Sequence, residues 1–403
     1  MGIVYADNNA TTPVAPEAAQ AMAPFLREQF FNPSSMYEPA RHVAAALAQA
    51  RERIAACFGD IDPKELLFTS CATESNNSAI QGAARANPKR RHIITTAVEH
   101  PAVLEVCREM GRQGYKVTYL GVGKDGNLDM GEFVRGLQKD TLLVSIMHAN
   151  NETGVVFPVE ELSRIAKETD PAIVFHTDAT QSVGKLPIDL AGAFKHVDLL
   201  SFSGHKLNAP KGVGALFIRR GTSIRPFMLG GHQECGRRAG TENVPHIAGF
   251  AAAMELAART RESEEPRVRN LRDRLEKGIV SKVPCVQVNG KGAVRLPNTL
   301  NVSCHYVEGE GMLYQLSDAG ICASSGSACT SGSLEPSHVL TAMKIPFTAV
   351  HGSVRFSLGR YNTDEDVDRI LDVFPKVVAN LRRLSPYWDQ EKDRPRADAP
   401  AVK

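Results

Sequence analysis

The chain has 403 residues, 43% of them hydrophobic and 23% charged, enough apolar material for two separately cored domains. A formal net charge of +2 leaves neither sign in excess, which argues against a nucleic-acid surface, and no run approaches the roughly 20 apolar residues of a membrane span. Asp7 falls where a signal peptide would have its apolar core, and the eight cysteines are scattered without a CxxC pair, so a cytoplasmic protein with reduced thiols is expected.

Pro13 and Pro16 open an apolar-periodic stretch that runs to Phe30, and ARHVAAALAQARERIAACFG reads as a second helix stopped by Gly59. From Glu65 to Arg219 seven β-branched runs alternate with helical stretches: ELLFTS, HIITTAV, KVTYL, TLLVSIM, AIVFHTD, VDLLSFS and ALFIRR. The alternation predicts an α/β fold with a mostly parallel sheet covered by helices. Within it GVGKDG (121–126) matches the G-x-G-x-x-G spacing. However, NLDMGEF makes a poor helix start and no acidic strand end follows about twenty residues on, so a simple turn is expected there. The charged helical region AARTRESEEPRVRNLRDRLEKGIV separates this block from further strands around VQVNG, LNVSC and VRFSLG, and DQEKDRPRADAPAVK reads as a solvated tail.

Ligands of open α/β sheets bind beyond the carboxyl ends of the strands. His100, Asn151, Asp178 with Gln181, and Ser203 with His205 and Lys206 follow four of the runs. Lys206 and Asp178 are the pair an amine-linked pyridine cofactor needs, one supplying the Schiff-base nitrogen and the other holding a pyridinium proton. Thr73 alone reads as a helix cap; beside that pair, its hydroxyl and the adjoining N–H groups can hold a phosphate. Gln181 can donate to a ring oxygen, and His100 can stack on a planar ring or shuttle protons, or simply begin a helix. Arg355 can clamp an amino-acid carboxylate, with a structural salt bridge as the competing explanation. Cys329 lies in SSGSACTSGSLEPSH, a run too small and polar to bury a thiol in a core.

At these residues the chain resembles the pyridoxal-phosphate cysteine desulfurases, most closely the NifS-type branch, over nearly its whole length. The resemblance rests on DNNATT (7–12), NPSS (32–35), SCATES (70–75), VEHPAVL (98–104), ANNETG (149–154), HTDATQSVGK (176–185), SGHK (203–206), GRRAGTEN (236–243), SSGSACTSGSLEPSH (324–338) and VRFSLGRY (354–361). It implies the aspartate-aminotransferase-like fold type I: a large cofactor-binding domain over 14–257 with a seven-stranded sheet, and a small α+β domain over 1–13 and 258–388. Residues 389–403 would form a flexible tail.

The resemblance also implies pyridoxal 5'-phosphate on Lys206, with Asp178 at the ring nitrogen, Gln181 at the ring oxygen and His100 stacked on the ring. Thr73, Ser203 and His205 would hold the phosphate, joined by Thr241 from the partner subunit of a homodimer, and Ala72 and Asn151 would also belong to the cofactor-binding set. Asn151 and Arg355 would hold the carboxylate of L-cysteine. Cys329 would take the sulfur as a persulfide, Lys206 would release the alanine, and the sulfur would pass to an iron–sulfur scaffold protein, for nitrogenase maturation or for a housekeeping pathway that demands the same chemistry.

Two positions depart from the family pattern: Cys235 stands where arginine is usual, and Ala72 where glycine is common. The first should weaken local positive charge and adds an oxidisable thiol; the second is a small change. No intrinsic metal site is expected, although a transient metal contact through a Cys329 persulfide stays open. The open alternatives are a selenocysteine lyase or another aminotransferase-like enzyme and, in a different class, a non-catalytic sulfur carrier or iron-binding scaffold.

Overall fold

The computed structural model describes residues 2–325, 336–392, 394–397 and 399. After β1 (Val4–Tyr5), α1 (Pro16–Arg27) and α2 (Glu38–Ala56), all seven expected runs form strands: β2 (Leu66–Thr69), β3 (His92–Thr96), β4 (Lys116–Leu120), β5 (Thr141–Ser145), β6 (Val174–Asp178), β7 (Leu199–Ser203) and β8 (Gly214–Ile218). Between them lie α3 (Ala72–Ala86), α4 (Pro101–Arg112), α5 (Met130–Gly136) and α6 (Val159–Thr169). The strands make one sheet in the order β2-β8-β7-β6-β5-β3-β4. Only β8 runs against its neighbours, so the other six point their carboxyl ends to one edge.

Side chains alternate between the two faces, and each face has its own core. Ile93, Leu143, Val174, Leu199 and Leu216 pack with α3 and α4, whereas Ile94, Val144, Phe175, Leu200 and Phe217 pack with α2, α6 and later helical residues. That double cover explains why the runs are almost wholly apolar. The edge strand β4 is half exposed and begins with an exposed lysine, Lys116, which discourages pairing with another chain.

The charged region forms part of one long helix, α7 (Val244–Lys282). Its first half, Ile247 to Leu256, belongs to the sheet's core, and Val268 to Ile279 belong to a separate one. The second core gathers β9 (Val286–Val288), β10 (Thr299–Cys304), α8 (Gly309–Asp318), β11 (Ile321–Cys322), β12 (Ser353–Ser357) and α11 (Asp364–Arg382) around a three-stranded sheet, β12-β10-β9, whereas the short helices α9 (His338–Ala342) and α10 (Phe347–Val350) send Val339, Leu340 and Val350 into the core of the large sheet. The start of the chain joins it: β1 pairs with β11, and Val4 and Ala6 lie in this core.

Two expectations need correction. NLDMGEF does start a helix, because the Asp129 carboxylate accepts from Gly131 N and Glu132 N and so caps α5. The glycine motif before it is nevertheless a turn, with Gly126 at φ +85° and Gly123 N donating to Asn127 O. The end of the chain is not wholly solvated: β13 (Trp388–Asp389) pairs with β14 (Arg394–Pro395), and Trp388 is buried beneath the Arg382 guanidinium, 4.2 Å from its ring.

Candidate active site

The shared strand edge opens into a cavity of about 390 Å³, within the usual range for a small-molecule site. Lys206 enters it from a short turn, Gly204–Lys206, directly after β7. Its Nζ donates to Asn9 O at 2.5 Å and Ala10 O at 2.7 Å, so two main-chain carbonyls from the start of the chain hold the amine.

Asp178 ends β6 and is buried. Its Oδ2 accepts from Asn76 Nδ2 at 2.7 Å and its Oδ1 from Thr180 N at 2.9 Å, which fixes the carboxylate plane. His100 is the residue before α4, and its Nδ1 accepts from Ala102 N, which leaves the proton of the neutral ring on Nε2. Burial is the main cause that lowers its pKa, and the charge of Lys206 adds to it while that of Asp178 opposes, so the ring is neutral at neutral pH. Gln181 also lines the cavity and donates through Nε2 to Asn9 O at 3.1 Å.

One end of the cavity suits an anion. Helix α3 starts there at Ala72 with no side chain capping it, so its first N–H groups face the opening beside Thr73. Ser203 Oγ is buried with no hydrogen-bond partner among the described residues, and His205 lines the same wall. Burial, with Lys206, Lys211 and Lys185 nearby, lowers His205 to about 4, so its ring offers a neutral N–H and no charge. Gly214 is needed here: a Cβ on it would lie 2.8 Å from the carbonyl carbon of Cys71, at the very start of α3.

At the opposite wall, Arg355 reaches in from β12 of the second core. Its Nη1 donates to Asn151 O at 2.9 Å and its Nη2 pairs with Asp7 Oδ1 at 2.8 Å. Arg355 Nε and Asn151 Oδ1 are buried without a partner among the described residues. The salt-bridge reading of Arg355 therefore holds on one edge, and on another the guanidinium keeps a donor without a protein partner among the described residues.

Of the sequence-derived set, Ala72, Thr73, His100, Asn151, Asp178, Gln181, Ser203, His205, Lys206 and Arg355 line this one cavity. Thr241 does not; it is exposed on the segment before α7. Cys329 lies outside the described residues. Cys235 is exposed at φ +58° beside Glu234, whose buried carboxylate takes a bidentate pair from Arg51.

Sequence reasoning missed Asn9, Ala10, Asn76 and Asp7. Asn76 had a signal, since it stands one helical turn after Ala72 on the same face of α3. The other three lie in an irregular segment and act largely through main-chain carbonyls, which no side-chain pattern reveals.

The orphaned hydroxyl, the uncapped helix and the buried carboxylate facing a lysine are together the donor set of a phosphate-bearing pyridine, and the residues fit such a group. The fold and this site define an enzyme of the aminotransferase type, and the Aminotransferase class-V family model matches residues 4–370: the chain belongs to that family. Within it the chain falls in the NifS-type cysteine desulfurase branch. It is 53% identical over 388 residues to the cysteine desulfurase NifS of Azotobacter vinelandii, with 96% of each chain covered, and 52% identical over 391 residues to a cysteine desulfurase of Trichormus azollae, covering 97% of this chain and 96% of the relative. A solved structure described as a NifS-like protein matches with a TM-score of 0.88 at 39% identity, over 94% of this chain and 100% of that one.

Proposed function

We propose that this chain binds pyridoxal 5'-phosphate through Lys206 and is a cysteine desulfurase, converting L-cysteine to L-alanine with transfer of the sulfur to Cys329. The observation that carries the reading is the convergence of Lys206, Asp178 and the open start of α3 on a single cavity. When bound, the cofactor supplies an electron sink for charge left at the substrate Cα.

The side chains divide the remaining work. Asp178, held by Asn76 and Thr180 N, keeps a proton on the ring nitrogen. Thr73, Ser203, His205 and the first N–H groups of α3 hold the phosphate, with Thr241 contributed by the second subunit of a homodimer. Arg355 takes the substrate carboxylate through Nε, the donor that lacks a protein partner among the described residues, and Asn151 through its side-chain NH₂. Lys206 Nζ moves the proton at Cα, and His100, neutral and protonated on Nε2, stacks on the ring and serves as the proton shuttle. The Cys329 thiolate attacks the substrate sulfur: the S–S bond forms as the Cβ–S bond breaks, and a proton ends on Cβ to give alanine.

The persulfide then goes to an iron–sulfur scaffold protein. The NifS-type resemblance supports nitrogenase cluster assembly as its use, and a housekeeping iron–sulfur pathway would require the same chemistry. The test of the cofactor assignment is Lys206→Ala. The wild type with pyridoxal phosphate should show a visible chromophore that survives gel filtration and is fixed to a Lys206 peptide by borohydride, and the variant should show neither. A borohydride-fixed peptide from another lysine would overturn it.

A further inference from the structure

Lys185 takes no part in the chemistry above, yet it is wired to it. It lies one turn beyond Gln181, and both hydrogen bonds of its Nζ among the described residues go to that residue, at 2.8 Å to the main-chain oxygen and 3.5 Å to Oε1. The other end of the Gln181 carboxamide donates through Nε2 to Asn9 O, the same carbonyl that accepts from Lys206 Nζ. An ammonium beside the amide oxygen and a carbonyl beside the amide nitrogen together allow one orientation, because a flipped amide would set NH₂ against Lys185 and oxygen against Asn9 O. Behind this chain of contacts is a second cavity of about 80 Å³, which both Lys185 and Lys206 line and which Arg261, Glu264, Glu265 and Arg360 also face.

We propose that Lys185 is a positioning residue that locks the Gln181 carboxamide with its N–H groups toward the ring oxygen of the bound cofactor. The assignment rests on the cofactor reading given above. Lys185 is half-buried, and burial with the charge of Lys206 lowers its pKa to about 7, so the amine is an obligate donor, and the lock complete, below that pH. A donor held toward the ring oxygen stabilises that oxygen as an anion and so favours release of the proton it shares with the Lys206 nitrogen. Loss of Lys185 should therefore raise the pH at which the chromophore changes colour.

The experiment is a spectroscopic pH titration of the holoprotein for the wild type, Lys185→Met, Lys185→Gln, Gln181→Ala and the Lys185→Met/Gln181→Ala double variant, with circular dichroism to establish folding. Lys185→Met should raise the midpoint by roughly half a unit or more, the size of one ordinary hydrogen bond weakened. The double variant should match Gln181→Ala alone. Midpoints equal to wild type in both Lys185 variants, with Gln181→Ala shifted, would overturn the assignment; so would full additivity in the double variant, since Lys185 would then act without Gln181. A wild type with no chromophore at any pH would overturn the cofactor reading itself.

Discussion

Glu99, the residue before His100, is a carboxyl kept neutral inside the protein. Its Oε1 accepts from Thr96 Oγ1 and Met147 N, each at 2.9 Å, while Oε2 is buried with no partner among the described residues. Burial is the largest influence and, against those two hydrogen bonds, pushes it from its ordinary 4.5 up to about 8. The folded protein thus binds a proton that the unfolded chain releases. The stability this contributes is full below about 4.5 and is lost as pH rises toward 8. Buried His148, lowered to about 4, works in the opposite sense: its contribution is full above 6.5 and is lost as pH falls toward 4. Glu99→Gln, neutral at every pH, should therefore gain in melting temperature relative to wild type as pH is raised from 5 to 8. A difference that stays constant across that range contradicts the buried neutral carboxyl.

Among the elements, the proposed phosphate end depends on how closely β8 approaches the start of α3. A methyl group at Gly214 would meet Cys71 backbone and Phe202 O at 2.8 Å, and no side-chain rotation relieves a clash with main chain. Gly214→Ala should displace the first turn of α3 and weaken rebinding of pyridoxal phosphate to the apoprotein by about tenfold, or ~1.4 kcal/mol. Unchanged affinity in a folded variant would contradict this role. The strands around that contact were readable in the sequence because burial on both faces forces apolar, β-branched runs between polar tips, and the tips name the site. Residues 7–10 were not readable in the same way: they have no periodicity, and Asn9 is fixed by long-range bonds to Thr299 and Asn298 of the second core. The pairing of Trp388 with the chain end was hidden for a similar reason, since a two-residue strand leaves no pattern.

In the whole molecule, the site is assembled from two cores that α7 joins. The large sheet brings Lys206, Asp178 and α3, and the small sheet brings Arg355, so the groups proposed for cofactor and for substrate carboxylate reach the same cavity from two different sheets. Both stems of the segment that contains Cys329 meet this cavity's surroundings. Ser324 exchanges main-chain hydrogen bonds with Arg355, and Ser337 donates to the buried Glu152 carboxylate at 2.5 Å. The proposed sulfur transfer requires that the chemistry at Lys206 and the thiol of Cys329 act on one substrate. The direct test is L-cysteine turnover under reducing conditions, with alanine and sulfide quantified together for wild type and Cys329→Ala while the cofactor spectrum is followed. The wild type should form alanine and sulfide in equal amounts, and Cys329→Ala should keep its chromophore and form neither at a comparable rate; sulfide at the wild-type rate from Cys329→Ala would contradict the account.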